Sequence, residues 1–173
     1  MRNYYLYICL ALLLIAQSGF AKTIYKLKFS NSTPLDFSVQ SFELSPTRAD
    51  KVGTNGSLID IRQLEPLREF KGNEIEMTAG ETKIIGLVLK SKSQMKADFF
   101  VAPHEIQPGI RALDFKFDCL CYHHAYHLEK GKMWYRILKL YHSLDASKLT
   151  KSAEVVTLSH EFQPWKNESS NDR

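Results

Sequence analysis

The sequence predicts an all-β fold, an antiparallel β-sandwich, and three observations predict it. Apolar and polar residues alternate over roughly seven to nine short segments, the pattern of half-buried strands. Turn chemistry rich in Gly, Pro, Asn and Ser separates these segments at about ten-residue spacing. No stretch carries the sustained helical periodicity of an amphipathic helix. Many short strands without helices to cover them are the sequence pattern of a sandwich.

The elements follow in order. Lys22 to Phe29 alternates, with Tyr25, Leu27 and Phe29, and ends in the turn Ser30 to Pro34. Leu35 to Leu44 alternates again, placing Phe37 and Val39 on one side and Phe42 and Leu44 on the other. Ser45 to Ser57, with Pro46, Gly53, Asn55 and Gly56, reads as a loop. Leu58 to Phe70 fits either a helical turn or an irregular connection. Asn73 to Met77 leads into the turn at Ala79 to Glu81, and Thr82 to Leu89 is rich in strand-forming residues. Ala97 to Ala102 is a short strand bounded by charged residues before it and Pro103 after it. Met133 to Tyr141 and Ala153 to Phe162 complete the set, with a polar stretch between them. Residues 166–173 form a polar tail expected to be disordered. There are no internal repeats and no low-complexity tracts.

The chemistry concentrates between Leu113 and His124. Leu113, Phe115, Phe117, Cys119 and Cys121 share one face of an extended segment. Residues i and i+2 of a strand lie about 6.5 Å apart at Cα. Their parallel side chains do not converge as a disulfide requires. A metal ion bridges that gap more easily, because each metal–sulfur bond adds about 2.3 Å. Soft thiolates select Cu(I), Zn or iron–sulfur clusters, and two thiolates alone suit low-coordinate Cu(I). His123 continues the cysteine face, while His124, His127 and the Met133 thioether are further candidate ligands. Cys119, Cys121, His123 and His127 would also make up a tetrahedral zinc set. Against these stands the plain alternative that both cysteines are small buried hydrophobes. His104, His142 and His160 are isolated in sequence and are expected at the surface.

The N-terminus reads as an export signal. Met1-Arg2-Asn3 precedes an apolar run from Tyr4 to Ala16, and Gly19-Phe20-Ala21 is a small-x-small ending. Residues 1–21 are therefore expected to be a signal peptide cleaved before Lys22, with an uncleaved membrane anchor as the competing reading. Residues 22–165 then form a single domain, large enough for its own core. The net charge of +4 is mild and spread along the chain. No basic block with interleaved aromatics suggests a nucleic-acid partner. Cys9 leaves with the signal, so only Cys119 and Cys121 remain, too few for a disulfide framework. No Gly-x-Ser-x-Gly motif, Ser/His/Asp grouping or paired carboxylate setting marks an enzyme.

The cysteine segment Cys119-Leu120-Cys121-Tyr122-His123-His124-Ala125 resembles the Cys-Phe-Cys-Phe-Glu-Glu-Gln signature of the copper-delivery assembly factors of cytochrome c oxidase, called CtaG in bacteria. Phe99 to Pro103, Gly109 to Phe117, Leu128 to Trp134 and Thr157 to Phe162 resemble that family's flanking segments in the same order. The resemblance implies an immunoglobulin-like antiparallel β-sandwich whose Cys119 and Cys121 bind Cu(I). It implies an exported metallochaperone, not an enzyme, that assists oxidase assembly by delivering copper to a membrane oxidase subunit or receiving it from a copper-donor protein. The location would be the periplasm or the outer face of the inner membrane, or the intermembrane space in a mitochondrion, and the copper site could join two copies as a homodimer. Two departures stand out. His123-His124 replace the family's acidic pair, and Trp134 replaces a Pro after Met133. The alternative from another class is an exported β-sandwich interaction module with a structural or zinc site, or no metal. A thiol–disulfide enzyme is a weaker option, since the pair lacks the helix N-terminus that lowers a thiol pKa.

Overall fold

The alternating segments pair into two sheets. The computed structural model describes residues 22–92, 96–109, 115–118, 120, 125–144 and 155–165. The strands are β1 (Thr23–Asn31), β2 (Phe37–Leu44), β3 (Asn55–Leu58), β4 (Arg68–Glu69), β5 (Glu74–Met77), β6 (Thr82–Ser91), β7 (Ala97–Val101), β8 (Glu105–Gln107), β9 (Phe115–Phe117), β10 (Tyr126–Leu128), β11 (Met133–His142) and β12 (Val155–Pro164). The first sheet runs β10-β7-β12-β1-β5, with β8 also on β12. The second runs β3-β11-β6-β2-β4, with β9 also on β11. The chain is an all-β sandwich.

Strand alternation decides what lies between the sheets. On β1 and β12 the inward residues are Tyr25, Leu27, Val156, Leu158 and Phe162; on β6 and β11 they are Ile85, Leu87, Leu89, Trp134, Leu138 and Leu140. Fully burying a side chain of this size contributes about 1.5–3 kcal/mol, so this layer holds the sandwich together. Phe99 anchors one end of the layer, with Trp134 edge-on at 5.2 Å and Phe162 at 5.6 Å between ring centroids.

The structure corrects one expectation, settles one open choice and adds one detail to the sandwich. The segment Ser45 to Ser57 is not a loop throughout: it contains the helix α1 (Pro46–Val52) followed by β3. Ser45 caps α1 by accepting from the Arg48 amide, Pro46 occupies the first turn, and Gly53 ends it at a φ of 77°. The reason for α1 is the outward face of the second sheet. There Phe42, Leu44, Ile84, Val88 and Tyr135 form a second cluster, which Ala49 and Val52 of α1 help to cover. The undecided stretch after Leu58 supplies the rest of that cover, a short 3-10 turn at Ile61–Leu64 with a capping box between Asp60 and Gln63. Finally, the sandwich is not wholly antiparallel. β1 and β12 pair in parallel from Ile24↔Val155 to Asn31↔Phe162. A parallel neighbour needs a long crossover, and the intervening chain provides it.

The free edge of the first sheet carries charge rather than apolar surface. Glu74 and Glu76 of β5 pair with Lys26 and Lys22, which discourages edge-to-edge association. Among the described residues no helix is long and apolar enough to cross a membrane. The expected signal segment and the expected C-terminal tail lie outside the described residues.

Candidate functional site

Cys119, Cys121, His123 and His124 lie outside the described residues, but the segment leading to them does not. Phe115 and Phe117 of β9 face the sandwich interior, paired with His142 and Leu140 of β11. The regular strand then stops. The Asp118 amide donates to the Lys139 carbonyl at 3.0 Å, but the Lys139 amide donates to the Asp118 carboxylate, also at 3.0 Å. A side chain has taken the bond that the strand backbone would make. Leu120, out of step with Phe115 and Phe117, is fully buried, and its carbonyl accepts from the Tyr126 hydroxyl at 3.2 Å. The expected unbroken alternation from Leu113 onward therefore does not survive past Phe117.

Two other expected ligands are placed far apart. Tyr126 and Leu128 of β10 point into the core, so His127 between them points outward from the first sheet. It is 71% exposed, with Nδ1 2.6 Å from the Asp98 carboxylate. Met133 projects from the outer face of the second sheet and packs on the cluster beneath α1. Stacked sheets sit about 10 Å apart, and these side chains leave from opposite outer faces. His127 and Met133 cannot serve one ion. Among the described residues no three His, Cys, Asp or Glu side chains converge as a metal site.

The structure instead brings forward two histidines expected at the surface. His142 and His160 are 2% and 1% exposed. His142 faces inward from β11, with Nδ1 2.7 Å from the Tyr25 hydroxyl and Nε2 3.3 Å from Thr23 Oγ1. Tyr25 in turn meets Phe115 edge-on at 5.1 Å. This is a satisfied core histidine. His160 faces inward from β12, beside Phe29 of β1, and neither of its ring nitrogens has a hydrogen-bond partner. Its ring stacks on Phe29 at 5.8 Å, lies 5.3 Å from the His104 ring at a 31° tilt, and is covered by Phe117 at 5.7 Å. Phe117 also touches the half-buried His104, edge-on at 6.0 Å.

Burial pushes the His160 pKa down to about 3, and the neighbouring His104 pushes in the same direction; a backbone contact at Leu158 opposes them. Burial likewise lowers the His104 pKa. Both imidazoles are thus held neutral, the form that binds metals. The signal for this cluster was present in the sequence. Val156, Leu158, His160 and Phe162 fall on one strand face, and so do Leu138, Leu140 and His142. A histidine in step with a run of core residues is a core histidine.

The charged groups of one surface groove pair with one another. A groove of about 380 Å³ is lined by Lys22, Arg68, Glu76, Glu81 and Lys83. There the buried Lys83 ammonium lies 2.6 Å from Glu81 and 3.5 Å from Glu43. The Lys83 partner, with the Thr78 amide, holds the Glu81 carboxyl below its usual range against the opposing effect of burial.

The fold and this cluster define an all-β sandwich with an aromatic–histidine layer at the end where β9 leads to the cysteines. The chain belongs to a family described as a domain of unknown function, DUF8709, whose model matches residues 26–162. That span runs from β1 into β12 and includes Cys119, Cys121, His104, His142 and His160. No curated protein matches the chain.

Proposed function

We propose that this is an exported, non-enzymatic Cu(I)-binding protein that uses Cys119 and Cys121 to pass copper to a membrane partner. The observation that carries the reading is the Cys-x-Cys pair itself, in a chain with no other cysteine beyond the expected signal segment. Two thiolates one residue apart suit a low-coordinate monovalent ion. Support comes from the frame around the pair. β9 is held on β11 up to Phe117, and Leu120 is seated in the core. A short stretch anchored at both sides can present ligands with little ordering cost. Transfer would proceed by ligand exchange, an incoming thiolate or imidazole binding before the old ligands leave. The likeness to oxidase assembly factors makes an oxidase subunit the proposed client and the outer face of a bacterial or mitochondrial inner membrane the proposed location.

A second reading is favoured by one observation. Leu120, between the two cysteines, is fully buried, so the segment also belongs to the core. On that reading the thiols are packing, and the sandwich is an exported interaction module.

Cys119→Ser and Cys121→Ser separate the two. If the thiols are ligands, each change removes the Cu(I) equivalent held by the pair, with the stabilisation that equivalent supplies, while the metal-free melting temperature stays within about 2 °C of wild type. If they are packing, each hydroxyl costs about 1–3 kcal/mol. The metal-free proteins then melt several degrees lower, at about 2–4 °C per kcal/mol, and wild type and both variants bind the same number of Cu(I) equivalents.

A further inference from the structure

Among the described residues, His160 is the buried side chain that leaves two polar atoms without a partner. Its two nitrogens are enclosed and neither makes a hydrogen bond of good geometry, the Leu158 backbone of its own strand interacting only weakly with the ring, although a neutral imidazole carries one donor and one acceptor. Leaving such a group unsatisfied destabilises the fold, and an unpaired buried polar group calls for an explanation such as an absent ion or water. Water is a poor fit, since an enclosed water needs about two to four polar partners. The walls of this site are Phe29 and Phe117, and His104 is the polar side chain facing His160. A phenyl ring at this position would suit the walls better than imidazole does. What imidazole adds is a lone pair.

We propose that His104 and His160 form a thiol-independent binding site for a single Cu(I) ion between the ends of β8, β12 and β9. The rings lie 5.3 Å apart at a 31° tilt. Metal–imidazole bonds of about 2.0–2.1 Å allow two nitrogens to share an ion when they are up to about 4 Å apart. Sharing an ion requires the rings to turn about their side-chain torsions until one nitrogen of each points at it. The number and kind of ligands select the ion. Tetrahedral zinc requires four ligands, and no third ligating side chain joins the pair among the described residues. Two imidazoles suit low-coordinate Cu(I). The aromatic walls also disfavour a divalent ion, because the cost of burying charge rises steeply with its size. His104, half-buried at the rim, is the point of entry, and His160 is the inner ligand.

The choice of ion rests on the copper reading above; the existence of the site does not. The experiment therefore titrates Cu(I), supplied anaerobically as its acetonitrile complex, into two forms of the chain: wild type and the double variant Cys119→Ser/Cys121→Ser. Both carry ¹⁵N-labelled histidine. The double variant is expected to bind one equivalent, with large shifts of one imidazole nitrogen each in His104 and His160. His104→Gln, at the rim and tolerant of change, should weaken that binding at least tenfold, and His160→Phe should abolish it. Where both sites exist, wild type binds two equivalents. If the thiols bind no copper but the imidazole site stands, both forms bind one. If wild type binds one equivalent and the double variant none, the thiol site stands and the imidazole site is refuted. Saturating Cu(I) that leaves the His104 and His160 nitrogens unmoved refutes it directly, whatever the variants do.

Discussion

The two buried histidines sit in matching positions on the two sheets and meet different surroundings. His142, on β11, is bonded through both nitrogens to Tyr25 and Thr23 of the opposite sheet. His160, on β12, is enclosed by Phe29, Phe117 and His104 and bonded through neither. β9 connects them, with Phe115 against Tyr25 and Phe117 against His160. The first histidine is accounted for by stability alone, as a polar tie across the core. The second gains no comparable tie from its surroundings, which is what the proposed copper site would account for. Burial alone does not tell the two apart; the partners of the ring nitrogens do.

The largest effect that would sharpen this contrast is expected at the satisfied site. Tyr25→Phe deletes the hydroxyl 2.7 Å from His142 Nδ1 and leaves that nitrogen without this partner, at a cost of about 1–3 kcal/mol. Thermal melting should show a drop of several degrees, at about 2–4 °C per kcal/mol. A melting temperature equal to wild type would mean that the His142 tie contributes nothing, and the contrast would fail at its stable end.

A smaller effect, opposite in character, is expected at His160. His160→Phe replaces an unsatisfied polar ring with an apolar one, so metal-free stability at pH 7 should stay within about 1 kcal/mol of wild type or rise. The pH dependence must change. The unfolded His160 side chain titrates near the ordinary imidazole value of 6.5 and the folded one at about 3, so between these values the unfolded chain holds the extra proton. The His160 contribution is thus fully present above pH 6.5 and is lost as pH falls, by up to about 1.4 kcal/mol per pH unit. His104, whose pKa is also lowered, acts in the same direction. The lowered carboxylates Glu81, Glu129 and Glu161 act below their ordinary value of 4.5. Denaturant unfolding at pH 7, 6 and 5 should therefore show a wild-type slope that His160→Phe reduces by nearly one proton. Identical slopes would show that His160 is not held neutral by the fold.

Much of this architecture was legible in the sequence because alternation is a local signal. β1, β2, β6, β7, β11 and β12 all lie where alternation or strand-forming residues placed them. The helix α1 was missed, although Ser45-Pro46 is a start signal and Gly53 a stop signal, because so short a helix shows almost no periodicity. The parallel β1–β12 pairing could not be read, since nothing local marks which distant strand becomes a neighbour. The candidate site was legible only in part. Cys119 and Cys121 announce themselves by spacing. His104 and His160, more than fifty positions apart, meet only because β8 docks on β12. The alternation of β12 already placed His160 on the core face, and histidine's usual surface preference concealed it. His127 and Met133, close in sequence to the cysteines, were separated by the turn that carries the chain from one sheet to the other.

The most direct test of the account is the choice of metal. Reduced protein is reconstituted anaerobically with Cu(I) and Zn(II) together, freed of unbound ions, and analysed for both metals. The account predicts at least one equivalent of copper per chain and little zinc. Stoichiometric zinc with little copper, or neither metal, would contradict it.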